Sequence, residues 1–394
     1  MRGIRPGTIG LLVSIACFWM ALYLYVPILS PYMSQTGAGY TWIGIAVAAY
    51  GIPQLTFRIS LGAWSDRLGR RKPFLTAALV VAAASSVLMA LWPAPLAFVA
   101  GRFLAGVAAS CWAMFSTLYA SYYPREEALA ALGWVAFANS LGQVVASLVG
   151  GLLAQRWGWQ APFWASVLLA GAGLGAAVSV PEQPSAQRAI APLQAPLQLL
   201  RASRSLRLAS ALGIFSQVGA FVVTFGFLPL WAYRLGISRA DLGLLTMASV
   251  IPSTVASVVA GGWFGRWWSA RTITAVGFAL TCLTAGLTVL TRSEPTLFFL
   301  QAVFGWGRGM LSPTLMALAI EEVEASVKTT AMAVYQALYS VGMVGGPLLA
   351  GVLVQQWGLP SAFVLAAAAA AAGMAAAVAP SRRPEVASEA RSHR

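Results

Sequence analysis

What most constrains this chain is a succession of apolar windows, each close to the roughly 20 residues needed to cross a bilayer. Twelve can be read, at 8–30, 41–61, 73–92, 95–119, 127–153, 160–180, 207–233, 241–264, 271–290, 296–320, 328–354 and 360–379. Hydrocarbon offers no partner to a backbone N–H or C=O, so each window must pair those groups within itself and is expected to be a helix. Composition agrees. Hydrophobic residues make up 59% of the chain and charged ones 9%, with a mean hydropathy of +0.75, more apolar surface than the interior of one soluble domain can absorb. The expected class is an all-α membrane protein with twelve transmembrane helices. The first window, "TIGLLVSIACFWMALYLYVPIL", is longer than a signal-peptide core and lacks a small-residue cleavage site, so it reads as a retained first helix.

Chemistry of several kinds is excluded at once. Cys17, Cys111 and Cys282 all fall inside windows without metal-ligand spacing and read as packing residues. His393 is the sole histidine and lies at the C-terminal end, which removes histidine catalysis and metal binding from the helical body. No cofactor, metal or enzymatic activity is expected. No phosphate loop of the G-x-x-x-x-G-K-[ST] type is present, so ATP is not expected to drive a cycle.

The net charge of +14 raises nucleic acid as a partner, but the placement of the charges argues against it. With both termini taken as cytoplasmic, eighteen of the 25 basic residues fall on the cytoplasmic side and four, Arg156, Arg234, Arg239 and Arg292, on the other. Arg58, Arg102 and Arg308 lie inside windows. That asymmetry is the positive-inside pattern. It implies a multi-pass protein of the cytoplasmic membrane, in contact with membrane lipids and with no nucleic-acid partner.

Two halves share one plan. "LVGGLLAQRWGWQAPF" (148–163) parallels "LLAGVLVQQWGLPSAF" (348–363), matching Gln155, Trp157, Gly158 and Phe163 with Gln355, Trp357, Gly358 and Phe363 at an offset of 200. A second match pairs Pro53, Gly62, Trp64 and Arg67 with Pro252, Gly261, Trp263 and Arg266 at an offset of 199. The expected organisation is a six-helix bundle over 1–180, a cytoplasmic linker over 181–206, a second bundle over 207–380 and a tail over 381–394. Parallel halves place a substrate site between them near the midplane, reached from each side in turn by rocking.

One stretch concentrates charge between two apolar windows: "GAWSDRLGRRK" (62–72). Anchoring a helix would require only its basic residues, so Asp66 needs a separate explanation. Through Gly62, Asp66, Arg67, Gly69, Arg70 and Arg71 the stretch resembles the signature of the major facilitator superfamily between its second and third helices. The resemblance implies that family's fold of two pseudo-symmetric six-helix bundles, similar to its drug:proton antiporter-like members. It also implies a latch, with Asp66 near the N-terminal end of the eleventh helix, where the macrodipole favours a carboxylate by about 0.3–1 kcal/mol. The plainer reading is that Asp66 only offsets a basic loop. The second-half copy has Gly265 where Asp66 stands, so the latch would be one-sided. "GRFLAG" (101–106) looks like a second family signature through Arg102 and Gly106. There the arginine is associated with proton or substrate handling; the alternative is an arginine snorkelling to the interface. The fifth window carries Gly142, Gly150 and Gly151 without the proline of the antiporter signature, and "GMVGGPLLAG" (342–351) lies in the eleventh instead. Small-residue packing explains both equally.

Polar groups at membrane depth are costly and usually face a cavity or another helix. Arg308, flanked by Gly305, Gly307 and Gly309, lies close to the midplane; it either binds an anionic substrate group or bonds neighbouring carbonyls in a gate. Asn139 with Gln143, Gln336 with Ser340, and Gln217 can face one cavity. Trp19, Tyr23, Tyr50, Gln54, Trp112, Tyr335 and Tyr339 supply candidate walls for a large amphipathic cavity suited to a small organic substrate. No carboxylate falls in mid-window. Either Asp66 or Glu321, near a cytoplasmic helix end, then serves proton coupling, or transport is coupled through arginines and substrate, or it is uncoupled. The function expected is secondary active export of drugs or amphipathic organic molecules by a monomer, with protons as the candidate coupling ion. Import or facilitated passage of an organic anion, and lipid flipping on the same fold, are the alternatives.

Overall fold

The computed structural model describes residues 8–124, 127–182, 195–324 and 327–379. Residues 183–194 of the expected linker and the expected tail over 381–394 lie outside the described residues. Among the described residues twelve long helical stretches follow one another: α1 (Ile9–Gln35), α2 (40–68), α3 (Lys72–Leu91), α4 (Pro95–Ser121), α5 (Ala128–Trp157), α6 (Ala161–Ser179), α7 (Arg204–Arg234), α8 (Arg239–Trp267), α9 (Ala270–Thr288), α10 (Glu294–Ala319), α11 (Lys328–Trp357) and α12 (Pro360–Val378). A short helix, Ala195–Ala202, precedes α7. Ten of the twelve are long and apolar enough to cross a membrane. The other two, α2 and α10, are those that carry Arg58 and Arg308.

The helices form two groups of six with the same internal packing. In the first, α1 lies on α5 and α6, α3 on α4 and α6, and α2 on α4; in the second, α7 lies on α11 and α12, α9 on α10 and α12, and α8 on α10. The repeated glycines end equivalent helices. Gly158 and Gly358 follow α5 and α11 with φ of 89° and 81°, a left-handed conformation that costs glycine little. Trp157 and Trp357 beside them are 67% and 70% exposed, as interfacial aromatics are.

Several stretches depart from uniform helix. Turns interrupt α1 at Leu24 and Tyr25, α2 at Tyr50 and Phe57, and α4 at Cys111. Within α7, Ala220–Phe227 is π-helical, a rare form that recurs at functional sites. The expected boundary of the second helix is corrected. α2 runs through Asp66 and Arg67 to Leu68, and Gly69, at φ 61°, ends it. Those two charged residues belong to the last helical turn, and the loop to α3 is three residues long.

The two groups meet through paired glycine crossings. A Cβ on Gly44 of α2 would collide with the Pro347 carbonyl and lie 2.8 Å from the Gly351 Cα of α11. On Gly151 of α5 it would lie 2.7 Å and 2.8 Å from the carbonyl oxygens of Ala240 and Arg239 on α8, and on Gly243 it would meet the Ser147 carbonyl. Backbones touch there because no side chain intervenes. These crossings lie toward the side away from the 62–72 motif. Toward the motif side, Gly62, Gly133, Gly261 and Gly262 have open space where a Cβ would stand. Contact between α2 and α11 is densest over residues 40–49 and thins steadily through 58–68, so the bundles part toward the motif side as a wedge.

Candidate functional site

At the apex of that wedge, rings from both bundles close on one another. The π-helical turn of α7 places Phe221 and Phe225 four residues apart on one face, where Phe221 stacks on Tyr50 of α2 at 6.0 Å and Phe225 meets Tyr23 of α1 edge-on at 5.7 Å. A small cavity lies among Leu22, Tyr23, Val26, Tyr50, Arg102, Phe221 and Phe225. Ser30 of α1 donates to the Gly226 carbonyl at 2.5 Å, using an acceptor in the π-helical turn. Behind Tyr23, Trp19 packs on it at 5.7 Å and on Trp112 of α4 at 5.1 Å. The enclosed cavity is smaller than the large one expected from the residue types alone.

Two expected arginines flank this cavity. Arg102 is 3% exposed and its guanidinium lies over the Tyr50 ring, 4.4 Å from the centroid. It does not snorkel; that alternative is overturned. Arg308 sits over Phe225 at 5.6 Å, and Tyr23 lies in the field of both guanidinium groups. Arg102 Nε and Arg308 Nη1 are buried with no hydrogen-bond acceptor among the described residues. An arginine at the centre of a span costs about 2.5–3.5 kcal/mol on insertion scales, so such groups persist where they serve a purpose.

A third arginine joins the bundles. Arg58 of α2 donates through Nη1 to Gln336 Oε1 at 2.9 Å and to the Tyr339 hydroxyl at 3.4 Å, both on α11, and through Nη2 to Gln54 Oε1 on its own helix. This brings Gln54, Gln336 and Tyr339 into one cluster across the interface. Ser340 turns back to the Gln336 carbonyl, Gln143 donates to Asn139 at 2.7 Å on the same helix, and Gln217 is half-buried. Sequence reasoning counted Arg58 among the span arginines without giving it a role; its spacing of four from Gln54 was the available signal. Gln301 was also missed. It stands 199 residues after Arg102, as Gly305 stands after Gly106, is fully buried, and has neither amide atom bonded.

On the side away from the motif, further inter-bundle contacts reinforce the glycine crossings. Arg239 lies over Trp159 at 4.2 Å and donates to the Ala154 carbonyl at 3.1 Å; Arg234 lies over Tyr40 at 5.3 Å; Trp159 meets Tyr233 at 5.3 Å; and the Tyr40 N–H donates to Gln355 Oε1 at 3.1 Å. Arg234 and Arg239, read from sequence as topology charges alone, are thus part of a seal.

The motif divides by role. Gly62 faces open space, Gly69 terminates α2, and Arg67 and Arg70 are exposed. The Asp66 side chain is 46% exposed, and its charged partner among the described residues is Arg71 at 3.8 Å, not the start of α11. Arg71 and Lys72 tie the bundle together. Their backbone N–H groups donate to Glu182 Oε1 at 2.9 and 3.2 Å, and Lys72 Nζ donates to the Val178 and Val180 carbonyls at 2.7 and 2.6 Å. Each charge thus caps the helix end its sign suits, the carboxylate at the start of α3 and the ammonium at the end of α6. Tyr122, just beyond α4, donates to the Pro181 carbonyl; burial, and after it the Glu182 carboxylate, pushes its hydroxyl above the usual tyrosine range.

Known proteins resemble this chain along its length. The family model described as Major Facilitator Superfamily matches residues 11–238 and 210–394. The "Inner membrane transport protein YajR" of Escherichia coli (strain K12) is 34% identical over 182 residues, 45% of this chain and only 39% of that protein. The "Tetracycline resistance protein, class C" of Escherichia coli is 27% identical over 316 residues, 78% of each chain. Among solved structures, the nucleoside transporter NupG superposes with a TM-score of 0.76 at 15% identity, covering 95% of this chain and 98% of that one, a likeness of fold.

Proposed function

The chain belongs to the major facilitator superfamily, and from that premise we propose that it exports amphipathic organic small molecules, drugs among them, from the cytoplasm by alternating access. The observation that carries this reading is the interface between the bundles, which is tight at the glycine crossings and parts toward the motif side, with a small aromatic cavity walled by both bundles at its apex. The basic residues around the motif and at the start of α7 and α9 support a cytoplasmic position for that side and for both termini. Similarity to a tetracycline resistance protein over 78% of the chain supports efflux. The transporting unit is taken as the monomer, since both walls of the cavity come from one chain.

Proton coupling, in this reading, runs through Asp66, because the mid-span region holds no carboxylate. The direct test is dye or drug accumulation in efflux-deficient bacteria expressing the protein. Accumulation should fall below that of control cells and rise again in Asp66→Asn. Unchanged accumulation across a broad compound set would remove export. Transport in proteoliposomes after a pH jump that is the same in Asp66→Asn as in the parent would remove the coupling role. Import or facilitated passage of an organic anion is the second reading, favoured by Arg102 and Arg308; there the same cells accumulate more of the labelled anion.

A further inference from the structure

We propose that the solute of this cavity is an organic anion, a carboxylate or similar acidic group on a flat apolar body, with its charge held between Arg102 and Arg308. The proposal rests on the transport reading above and narrows its substrate. Buried donors at and around the cavity lack acceptors. Arg102 Nε, Arg308 Nη1 and the nearby Trp19 Nε1 are buried with no acceptor among the described residues. The guanidinium groups of Arg102 and Arg308 rest on ring faces. Arg58, the third arginine within a span, directs its donors to the neutral oxygens of Gln54, Gln336 and Tyr339.

Among the described residues no carboxylate balances this charge at depth. Those described stand at helix ends or beyond them: Asp66 in the last turn of α2, Asp241 and Glu294 in the first turns of α8 and α10, Glu127 just before α5, Glu182 past α6, and Glu321, Glu322 and Glu324 past α10. Positive charge in a low-dielectric site without a fixed counter-charge attracts an anion and repels a cation. Arginine's planar fork suits a carboxylate, sulfonate or phosphate oxygen pair. The rings of Trp19, Tyr23 and Phe225 offer edges and faces to an aromatic body carrying that group. A cationic drug would meet the same guanidinium groups with like charge, so the solutes exported should be acids, not amines.

The test is binding, measured by calorimetry on the purified full-length protein with three matched probes: 2-naphthoate, 2-naphthamide and 2-naphthylmethylammonium. The carboxylate should bind at least about tenfold tighter than the neutral amide, and the ammonium weakest. Arg308→Gln and Arg102→Gln should each bring the carboxylate toward the amide's affinity while leaving the amide's own affinity in place, and Arg308→Lys should keep part of the preference. Equal or tighter binding of the amide or the ammonium by the parent protein overturns the proposal, as does failure of the carboxylate to bind at millimolar concentration. So does an anion preference that survives in both glutamine variants. The parent protein decides the first two outcomes without any variant having to fold. Preserved anion preference in a protein that gives cells no efflux would remove the export reading and leave this one standing.

Discussion

Arg58 is the residue whose role depends most on tertiary structure. Its nearest bond stays on α2, to Gln54, but the bonds to Gln336 and Tyr339 cross to the other bundle. A hydrogen bond to a charged group contributes about 1.5–3 kcal/mol, more than a neutral one. Gln336→Ala should therefore lower stability by roughly that amount in chemical denaturation, and the loss should shrink when Arg58→Ala is already present. Additive losses would show that the two side chains do not interact. Gln301 is expected to behave in the opposite way. Fully buried with both amide atoms unbonded, it suffers desolvation without compensation, and Gln301→Leu should raise the melting temperature, by an amount on the order of 1–3 kcal/mol in stability. A fall instead would mean that the amide makes bonds in another conformation of the cycle.

At the level of elements, the two motif glycines of α2 should respond differently to the same change. Gly69 holds φ at 61°, which an alanine adopts only at about 1–2 kcal/mol, whereas Gly62 lies in the helix with nothing near its missing Cβ. Gly69→Ala should lower the thermal midpoint of the purified protein; Gly62→Ala should hold or raise it, since alanine is favoured over glycine in a helix by up to about 1 kcal/mol. Helix positions were legible because the bilayer demands one property, length of apolar chain, and hydropathy measures it directly. Helix interiors were not. The turns at Leu24, Phe57 and Cys111 and the π-helical stretch Ala220–Phe227 depend on what packs beside them: a Cβ on Gly150 would strike the Leu24 carbonyl, so that turn answers to a neighbouring helix. The end of α2 was misplaced for a related reason. Charge marks the bilayer surface, while a helix ends where its backbone turns, and at Gly69 the two differ by a few residues. Arg102, Arg308, Tyr23 and Tyr50 could be nominated one at a time from depth and residue type; that they share a cavity with Phe221 and Phe225 required the fold.

On the scale of the whole molecule, the offset repeat becomes a mechanical statement. Gly44 and Gly243 are equivalent positions at an offset of 199, as Gly151 and Gly351 are at 200, so the α2–α11 and α5–α8 crossings are two copies of one contact. Matching contacts on both flanks of the interface let the bundles close together without twisting. In the alternating access proposed above, both would part while the motif side closes, bringing Gly62 and its second-half counterpart Gly261 toward the interface from the open space they now face. Leucine at Gly44 would place a side chain into the α11 backbone, which cannot yield as a flexible side chain can. Gly44→Leu should therefore hold the crossing apart. Spin labels at residues 41 and 356, near the ends of α2 and α11, should report a longer distance in that variant than in the parent, and transport should be lost. Gly62→Leu should leave that distance unchanged and still lose transport, because the side it blocks is the one that has yet to close. Parental distance and full transport in both variants would mean that the bundles do not rock about these helices.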